Sequence, residues 1–304
     1  MLSQLSYPPA PVIIAYGGPA VKGFMPFPPW RRAETGRAAF FYVIRENGGL
    51  CAAYSTLFLM GLNLGGGRFD LTVGPLVRLW GIGTDDARVP AAGEIAAALA
   101  LVDWRTVAVS DADSTVFLGR PGAAIDLGAI AKGYAADAAV AVLAANGVTT
   151  ALVDLGGNIV TLGAKPDGSP WRIGLQDPDP SVPRGTHIGI VEFEGSRSVV
   201  TSGTYERYLV RDGVRYHHLL DTATGRPVAN GLTAVTIFAT RSIVADGWST
   251  LVFAAGLERG RALVESAGGE VEAAFFTDGF EVYATPGLRG RLKLSDARWQ
   301  LRGW

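Results

Sequence analysis

Cysteine and histidine are scarce in this chain, which has one cysteine and three histidines among 304 residues. Cys51 has no partner with which to form a disulfide within the chain. The histidines, His187, His217 and His218, are too few to favour a multi-histidine zinc site. The formal net charge is −1, so the chain lacks the basic surface on which proteins bind nucleic acids or anionic membranes. We therefore expect no nucleic-acid partner.

Long hydrophobic runs are also missing. The longest apolar stretch, LCAAYSTLFLMGL at 50–62, is shorter than the roughly 20 residues that a membrane-spanning helix needs. We interpret this stretch as a buried helix. Residues 1–18 lack a basic n-region and contain several prolines, so they do not resemble a secretory signal. By sequence alone we expect no transmembrane segment; the missing signal favours the cytoplasm, and the compartment stays open.

The usual phosphate-binding motifs are absent, because the chain has neither G-x-x-x-x-G-K-[ST] nor a G-x-G-x-x-G that opens a helix after a strand. The segment DLGAIAKGYAADAAVAVLAANG, at 126–147, nevertheless predicts a helix over about 129–145 that ends at Asn146-Gly147. Lys132 lies near the start of that helix among alanines and glycines. A lysine beside the positive end of a helix favours anion binding. The alternative is a lysine on a solvated helix face.

Short strand-like segments make up much of the remaining chain. Residues 106–110 and 114–119 predict paired strands, and TTALVDLGGNIVTLG predicts a hairpin with a Gly-Gly turn. RYLVRDGVRYHHLL predicts a second hairpin with its turn at Asp212-Gly213. ARVPAAGEIAAALALV predicts a helix, and residues 242–268 predict two helices that are broken at Gly256. Because strands outnumber helices and mostly form hairpins, the predicted fold class is α+β with mostly antiparallel sheets.

The motif ADGWST contains two oxygen-bearing side chains with helical spacing. Asp246 and Thr250 are four residues apart, so they share one face of a helix. A carboxylate and a hydroxyl on one face suit a hard cation such as Mg²⁺. The alternative is that Asp246 caps the start of its helix. Considered by itself, the motif favours the cap.

Two further polar segments are candidates for a ligand site. In RYHHLLDTATGRP, His217 and His218 point to opposite faces of a strand, so at most one of them faces a given site. The alternative is a histidine at the rim of a sheet. In TSGTYERY, the hydroxyls of Ser202, Thr204 and Tyr205 lie beside a glycine. This segment is a candidate ligand-lining loop, and a plain strand end is the alternative.

Taken together, seven segments resemble one family. They are GRFDLTVGPLVRLWGIG, DLGAIAKGYAAD, LVDLGGNIVTLG, WRIGLQDP, TSGTYERY, YHHLLDTATGRPV and ADGWSTLVF. Their order and spacing are similar to those of the ApbE family, the FAD:protein FMN transferases, over about residues 66–304. The resemblance implies an α+β enzyme that uses Mg²⁺ to transfer FMN from FAD to a threonine or serine hydroxyl of an acceptor protein, releasing AMP. Some relatives hydrolyse FAD to FMN and AMP instead.

The resemblance also implies roles for the polar residues singled out above. The backbone carbonyl of Ala129 would join Asp246 and Thr250 in holding Mg²⁺. The anion beside Lys132 would be the pyrophosphate of FAD. His218 matches a histidine of the family and is expected to act as the base that assists the acceptor hydroxyl.

Other residues are matched to the nucleotide and flavin. Arg68, Phe69 and Asp70 are expected to contact the nucleotide, and Leu220 is expected to contact the flavin. Residues 66–304 would form the transferase domain, and residues 1–65 a divergent N-terminal segment within the same domain. The alternatives to a transferase are an FAD pyrophosphatase and a non-catalytic flavin-binding protein.

Overall fold

The computed structural model describes residues 12–16, 42–43, 67–110, 115–179 and 181–304. The helix predicted over residues 50–62 lies outside these ranges. The described residues contain five α-helices, which are α1 (Gly74–Trp80), α2 (Ala92–Leu99), α3 (Ala131–Ala145), α4 (Ser242–Ala255) and α5 (Leu257–Ser266).

The described strands form one large sheet and three small ones. The large sheet has eight strands in the order β1-β5-β6-β9-β12-β13-β14-β16, and the small ones have the orders β10-β11, β15-β8-β7 and β2-β4-β3. Only the β14–β16 pair is parallel among the described strand pairs. The predicted α+β class with mostly antiparallel sheets is therefore confirmed. The strands are β1 (Val12–Tyr16), β2 (Tyr42–Val43), β3 (Val107–Ser110), β4 (Thr115–Leu118), β5 (Thr150–Asp154), β6 (Asn158–Leu162), β7 (Trp171–Gln176), β8 (His187–Phe193), β9 (Arg197–Gly203), β10 (Tyr208–Arg211), β11 (Val214–His217), β12 (Leu232–Ala239), β13 (Val271–Thr277), β14 (Glu281–Ala284), β15 (Leu292–Leu294) and β16 (Gln300–Arg302).

Helix α4 is the central helix of the core. Eleven of its fourteen residues are buried, as expected of a helix that is apolar around most of its circumference. It packs against β9 and β12 on one side and against α3 on another. Each fully buried Leu or Phe of such a helix contributes about 1.5–3 kcal/mol to folding. A polar group on α4 is therefore held by a rigid, densely packed element.

Most local predictions are confirmed, with shifts at element ends. The break between α4 and α5 falls at Gly256, whose φ is 81°. The turn of the β10–β11 hairpin places Asp212 and Gly213 at φ 51° and 76°, the left-handed values that a two-residue hairpin turn requires. Helix α3 begins at Ala131 rather than near 129. The helix predicted in ARVPAAGEIAAALALV is confined to α2.

Two described segments of the N-terminal region join the sheets of the main body. Strand β1 pairs with β5 at the edge of the large sheet, and β2 pairs with β4. The division at residue 65 stays a prediction, because most of residues 1–65 lie outside the described ranges. Within those ranges, no helix is both long and apolar enough to cross a membrane.

Candidate active site

A cleft of about 560 Å³ opens beside the first turn of α3 and the buried helix α4. The end of β9, the segment at 68–83 and the residues that follow β11 complete its walls. All the residues singled out from the resemblance line this one cleft. They are Arg68, Phe69, Asp70, Ala129, Lys132, His218, Leu220, Asp246 and Thr250. The structure brings them together, and their individual roles stay predictions.

The carboxylate of Asp246 is the most deeply buried charged group of the cleft. Its residue is 3% exposed, and burial raises its pKa to about 6, against the opposing effects of the Lys132 charge and of a hydrogen bond from Gly133. The Gly133 N–H donates to Asp246 Oδ2 over 2.8 Å. Asp246 Oδ1 has no hydrogen-bond partner among the described residues. One oxygen is therefore anchored to α3, and the other is available to a ligand.

The alternative interpretation, in which Asp246 caps the start of its own helix, is wrong. Asp246 is the fifth residue of α4 and does not cap its own helix. It instead accepts a hydrogen bond from Gly133, the third residue of α3, whose N–H has no partner within its own helix. Capping of α3 and ligand binding use different oxygens, so the two roles are compatible.

A chain of hydroxyl groups contacts Thr250, the second candidate metal ligand on α4. Ser202 Oγ lies 3.4 Å from Thr250 Oγ1 and 2.8 Å from Ser249 Oγ. Ser249 Oγ in turn donates to the backbone carbonyl of Asp246 over 2.8 Å. The chain links the end of β9 to α4 next to the cleft. Ser202, which the sequence indicated as a ligand-lining residue, does line the cleft, whereas Thr204 and Tyr205 do not appear among its lining residues.

Three oxygens of the cleft have the chemistry that a hard cation needs. Asp246 Oδ1 and the Thr250 hydroxyl come from α4, and the Ala129 carbonyl accepts no hydrogen bond from the described residues. The described residues contain no group of three or more His, Cys, Asp and Glu side chains that could hold a metal. The set predicted for Mg²⁺ has only one member of those types, because its other donors are a hydroxyl and a carbonyl. Carboxylate, hydroxyl and carbonyl oxygens suit Mg²⁺, which keeps several waters or substrate phosphate oxygens.

Positive charge lines the cleft beside this oxygen set. Lys132 is the second residue of α3 and lies half-buried in the cleft wall. Asp246 and His218 line the same cleft, and the charge of Lys132 opposes the burial that raises the pKa of Asp246. The start of a fifteen-residue helix adds its own positive field. Arg68 and Arg207 also line the cleft, as do the acidic residues Asp126 and Glu206. Lys132 and the start of α3 are therefore the feature that suits an anionic ligand.

His218 is poised as a neutral base. Strand β11 ends at His217, so His218 lies just beyond the strand. Its Nδ1 lies 3.2 Å from the Arg207 carbonyl oxygen, and because a carbonyl only accepts, Nδ1 carries the proton and Nε2 the lone pair. Burial lowers its pKa well below 6.5, and the charge of Arg207 lowers it further. The imidazole is therefore neutral at neutral pH.

His217 has a structural role instead. It is 6% exposed and does not line the cleft. Its Nε2 donates to the Val228 carbonyl over 2.9 Å, and its Nδ1 accepts the Leu219 N–H over 3.3 Å. The ring also packs edge-on against Phe253. The prediction that only one of the two neighbouring histidines faces the site agrees with this geometry.

The carboxylate of Asp70 is engaged in local structure. Oδ1 accepts the N–H and the hydroxyl of Thr72 over 2.8 and 2.7 Å, and Oδ2 accepts the Trp104 N–H over 3.0 Å. The two bonds from Thr72 are local, and the bond from Trp104 fastens this part of the cleft wall to the segment at 103–106. The sequence did not indicate this use of Asp70, because the Trp104 contact spans 34 residues.

The neighbours of Asp70 are placed differently. Phe69 is buried in the main core, and Arg68 is 43% exposed in its side chain, with its guanidinium 3.9 Å from the Asp221 carboxylate. Thr222 Oγ1 donates to the Gly67 carbonyl. The segment at 67–70 is thereby tied to the loop that follows His218 and Leu220.

Two further residues of the cleft wall were not indicated by the sequence. Arg207 supplies the carbonyl that orients His218, and Glu206 forms a 3.0 Å ion pair with Arg184. Both lie within the polar segment TSGTYERY at 201–208. That segment was the available signal, although it does not reveal which of its residues turn toward the cleft.

Comparisons with known proteins give a consistent picture. A family model described as the ApbE family matches residues 61–275. The chain is 41% identical over 233 residues to an FAD:protein FMN transferase of Klebsiella pneumoniae (strain 342), covering 77% of this chain and 71% of that protein. It is also 41% identical over 249 residues to the FAD:protein FMN transferase of Treponema pallidum (strain Nichols), covering 78% and 68% of the two chains.

Solved structures agree with this result. A crystal structure of the ApbE protein from Thermotoga maritima MSB8 matches with a TM-score of 0.71 and 33% identity, covering 82% of this chain and 79% of that one. The flavin transferase ApbE from Vibrio cholerae matches with a TM-score of 0.70 and 30% identity, covering 83% and 78%. The resemblance inferred from the seven segments is confirmed, and the chain belongs to the ApbE family.

Proposed function

We propose that this chain is an FAD:protein FMN transferase, which moves FMN from FAD onto a threonine or serine hydroxyl of an acceptor protein and releases AMP. The convergence of a lysine at a helix start, a buried carboxylate and a neutral histidine in one cleft is the observation that carries the proposal. Two relatives at 41% identity are FAD:protein FMN transferases, which supports the same reaction.

Mg²⁺ is the cation that we assign to the oxygen set of the cleft. Asp246, Thr250 and the Ala129 carbonyl would hold it, and Lys132 lies near the same carboxylate. When bound, the cation would supply electrostatic stabilisation of the charge on phosphate oxygens.

FAD binding is assigned to Lys132, the start of α3 and other residues that line the cleft. Lys132 and the start of α3 would face the pyrophosphate, because an ammonium binds phosphate as a point charge and the helix start adds a positive field. Arg68 and Phe69 would contact the nucleotide, together with the backbone of Asp70, whose carboxylate is already engaged. Leu220 would contact the flavin.

The transfer step is a phosphoryl-group displacement. The oxygen of the acceptor hydroxyl forms a bond to the FMN-side phosphorus, and the bond from that phosphorus to the bridging oxygen breaks. AMP leaves with the bridging oxygen. The proton of the hydroxyl passes to His218 Nε2, the nitrogen that carries the lone pair. Positioning and charge stabilisation are expected to supply most of the rate acceleration, since little covalent work falls to the protein in this reaction.

The test uses the purified chain with FAD, Mg²⁺ and a host-cell protein extract as the source of acceptor. Proteins are separated on a denaturing gel, imaged for flavin fluorescence and weighed by mass spectrometry. A transferase produces a fluorescent band whose mass has increased by one FMN. Free FMN and AMP without any labelled protein would indicate an FAD pyrophosphatase. FAD that is bound but not turned over would indicate a flavin-binding protein.

A further inference from the structure

The first turns of helices α3 and α4 are each capped by a carboxylate from the other helix. Asp137 of α3 accepts the backbone N–H groups of Ser242 and Ile243, the first two residues of α4, over 2.7 and 3.1 Å. Asp246 of α4 accepts the N–H of Gly133, the third residue of α3, over 2.8 Å. The first turn of a helix leaves its N–H groups without partners in that helix. Each helix therefore caps the start of the other.

The two helices are in backbone contact at this point. A Cβ added at Gly133 would lie 2.5 Å from the Ser242 carbonyl oxygen and 2.6 Å from Ile243 Cα. Only glycine permits so close an approach. Ser242 also donates its hydroxyl to Asn158 Oδ1 of β6 over 2.6 Å. The start of α4 is thus fixed against α3 and against the large sheet.

Of these two capping carboxylates, that of Asp246 belongs to the proposed cation site and that of Asp137 does not. Asp246 lines the cleft, whereas Asp137 is absent from the described residues that line it. Asp137 is one turn beyond Gly133 on α3, and it binds α4 one turn before Asp246. Thr250 follows one turn later on the same helix. Asp137 therefore contacts the element that carries both donor side chains, without touching a ligand in the cleft.

We propose that Asp137 is a positioning residue for the cation site. This inference rests on the proposed function. Asp137 holds the start of α4 against α3, so that Asp246 Oδ2 stays bound to Gly133 while Asp246 and Thr250 keep their places in the cleft that Ala129 also lines. Without Asp137, the start of α4 loses two N–H acceptors and its fixed position. Residues that orient metal ligands in this way typically change metal affinity about 10–100-fold when replaced.

Two variants test the proposal in the full-length chain. Asp137→Ala removes both acceptors, and Asp137→Asn keeps one oxygen but places an amide against the second N–H. The FAD dissociation constant is measured by flavin fluorescence, once in chelator and once across a Mg²⁺ titration. Hydrogen exchange of the segments at 131–134 and 242–246 is followed in metal-free protein. Val264→Ala, in the buried face of α5, is the control for reduced stability alone.

We expect the Mg²⁺ concentration at half-maximal effect to rise about 10–100-fold in Asp137→Ala and less in Asp137→Asn. FAD affinity in chelator should be unchanged in both, and hydrogen exchange should accelerate in both segments. Val264→Ala should change neither the half-maximal Mg²⁺ concentration nor the hydrogen exchange of these two segments. A folded Asp137→Ala with a wild-type Mg²⁺ response would overturn the inference while leaving the proposed function intact. If Asp137→Ala does not fold, a wild-type response in Asp137→Asn has the same consequence. A wild-type chain that ignores Mg²⁺ would refute the cation site itself, and the inference with it.

Discussion

Replacing Asp246 with asparagine should make the metal-free protein more stable at neutral pH. Burial raises the pKa of this carboxyl from its ordinary value of 3.8 to about 6. At about 1.36 kcal/mol for each pKa unit, keeping the group ionised in the folded state costs about 3 kcal/mol. Asparagine carries no charge, and its carbonyl oxygen can still accept the Gly133 N–H. The cation site therefore reduces stability when no cation is bound.

The pH dependence follows from the sign of the shift. Because the folded pKa lies above the unfolded one, the folded state binds the proton more tightly. The penalty on the wild type is absent below about pH 4, grows between about pH 4 and 6, and is complete above that range. In chelator, Asp246→Asn should melt roughly 6 °C above the wild type at neutral pH and nearly level with it at about pH 4. Thermal unfolding followed by circular dichroism measures both differences.

Magnesium should make the wild type more stable than Asp246→Asn. A cation that binds only the folded wild type stabilises it in proportion to the logarithm of its concentration above the dissociation constant, and the asparagine variant lacks the charge to bind it. Asp126→Asn is the matched control, since Asp126 also lines the cleft and accepts an N–H, from Gly128, but is only half-buried. It should raise the melting temperature at neutral pH far less than Asp246→Asn does, because a half-buried carboxylate keeps much of its hydration. A gain in Asp246→Asn that is equally large at pH 4, or no gain at neutral pH, would refute this reasoning.

Four further substitutions test other parts of the site. Lys132→Met should weaken FAD binding about tenfold, or about 1.4 kcal/mol, without loss of stability; an unaltered dissociation constant would mean that Lys132 lines the cleft without binding FAD. His218→Asn should slow single-turnover FMN transfer about 10²–10⁴-fold at unchanged FAD affinity, and the acid limb of the wild-type rate profile should lie below pH 6.5. His217→Asn should mainly lower the melting temperature, and a large rate loss confined to it would contradict the assignment. Gly133→Ala should melt lower despite a gain of about 1 kcal/mol in helix propensity, and a higher melting temperature would contradict the close approach of α3 and α4.

Patterns within short windows predicted most of the fold. The Gly256 break, the Asp212-Gly213 turn and the run of hairpins are local features, and each is confirmed. Strands β1, β2, β15 and β16 were not predicted, because each is defined by the strand with which it pairs rather than by its own sequence. Helix α1, which forms one wall of the cleft, was identified only as part of a motif.

The candidate site shows the same division between local and long-range information. Asp246 and Thr250 share a helix, so their common face could be predicted from their spacing. The reciprocal capping of α3 and α4 could not be predicted, because Asp137 and its partner Ser242 are separated by 105 residues. Asp70 shows the reverse case. The resemblance assigns it to the nucleotide, while the structure shows its carboxylate bound to Thr72 and Trp104.

The stoichiometry of FAD cleavage tests the proposed reaction most directly. The purified chain is incubated with FAD, Mg²⁺ and an acceptor protein identified from the labelled extract, and AMP, free FMN and protein-bound FMN are each quantified. The account predicts one protein-bound FMN for every AMP released, with little free FMN, and loss of all three products in Asp246→Ala. AMP matched by free FMN at every time point, or turnover that persists in Asp246→Ala, would contradict it.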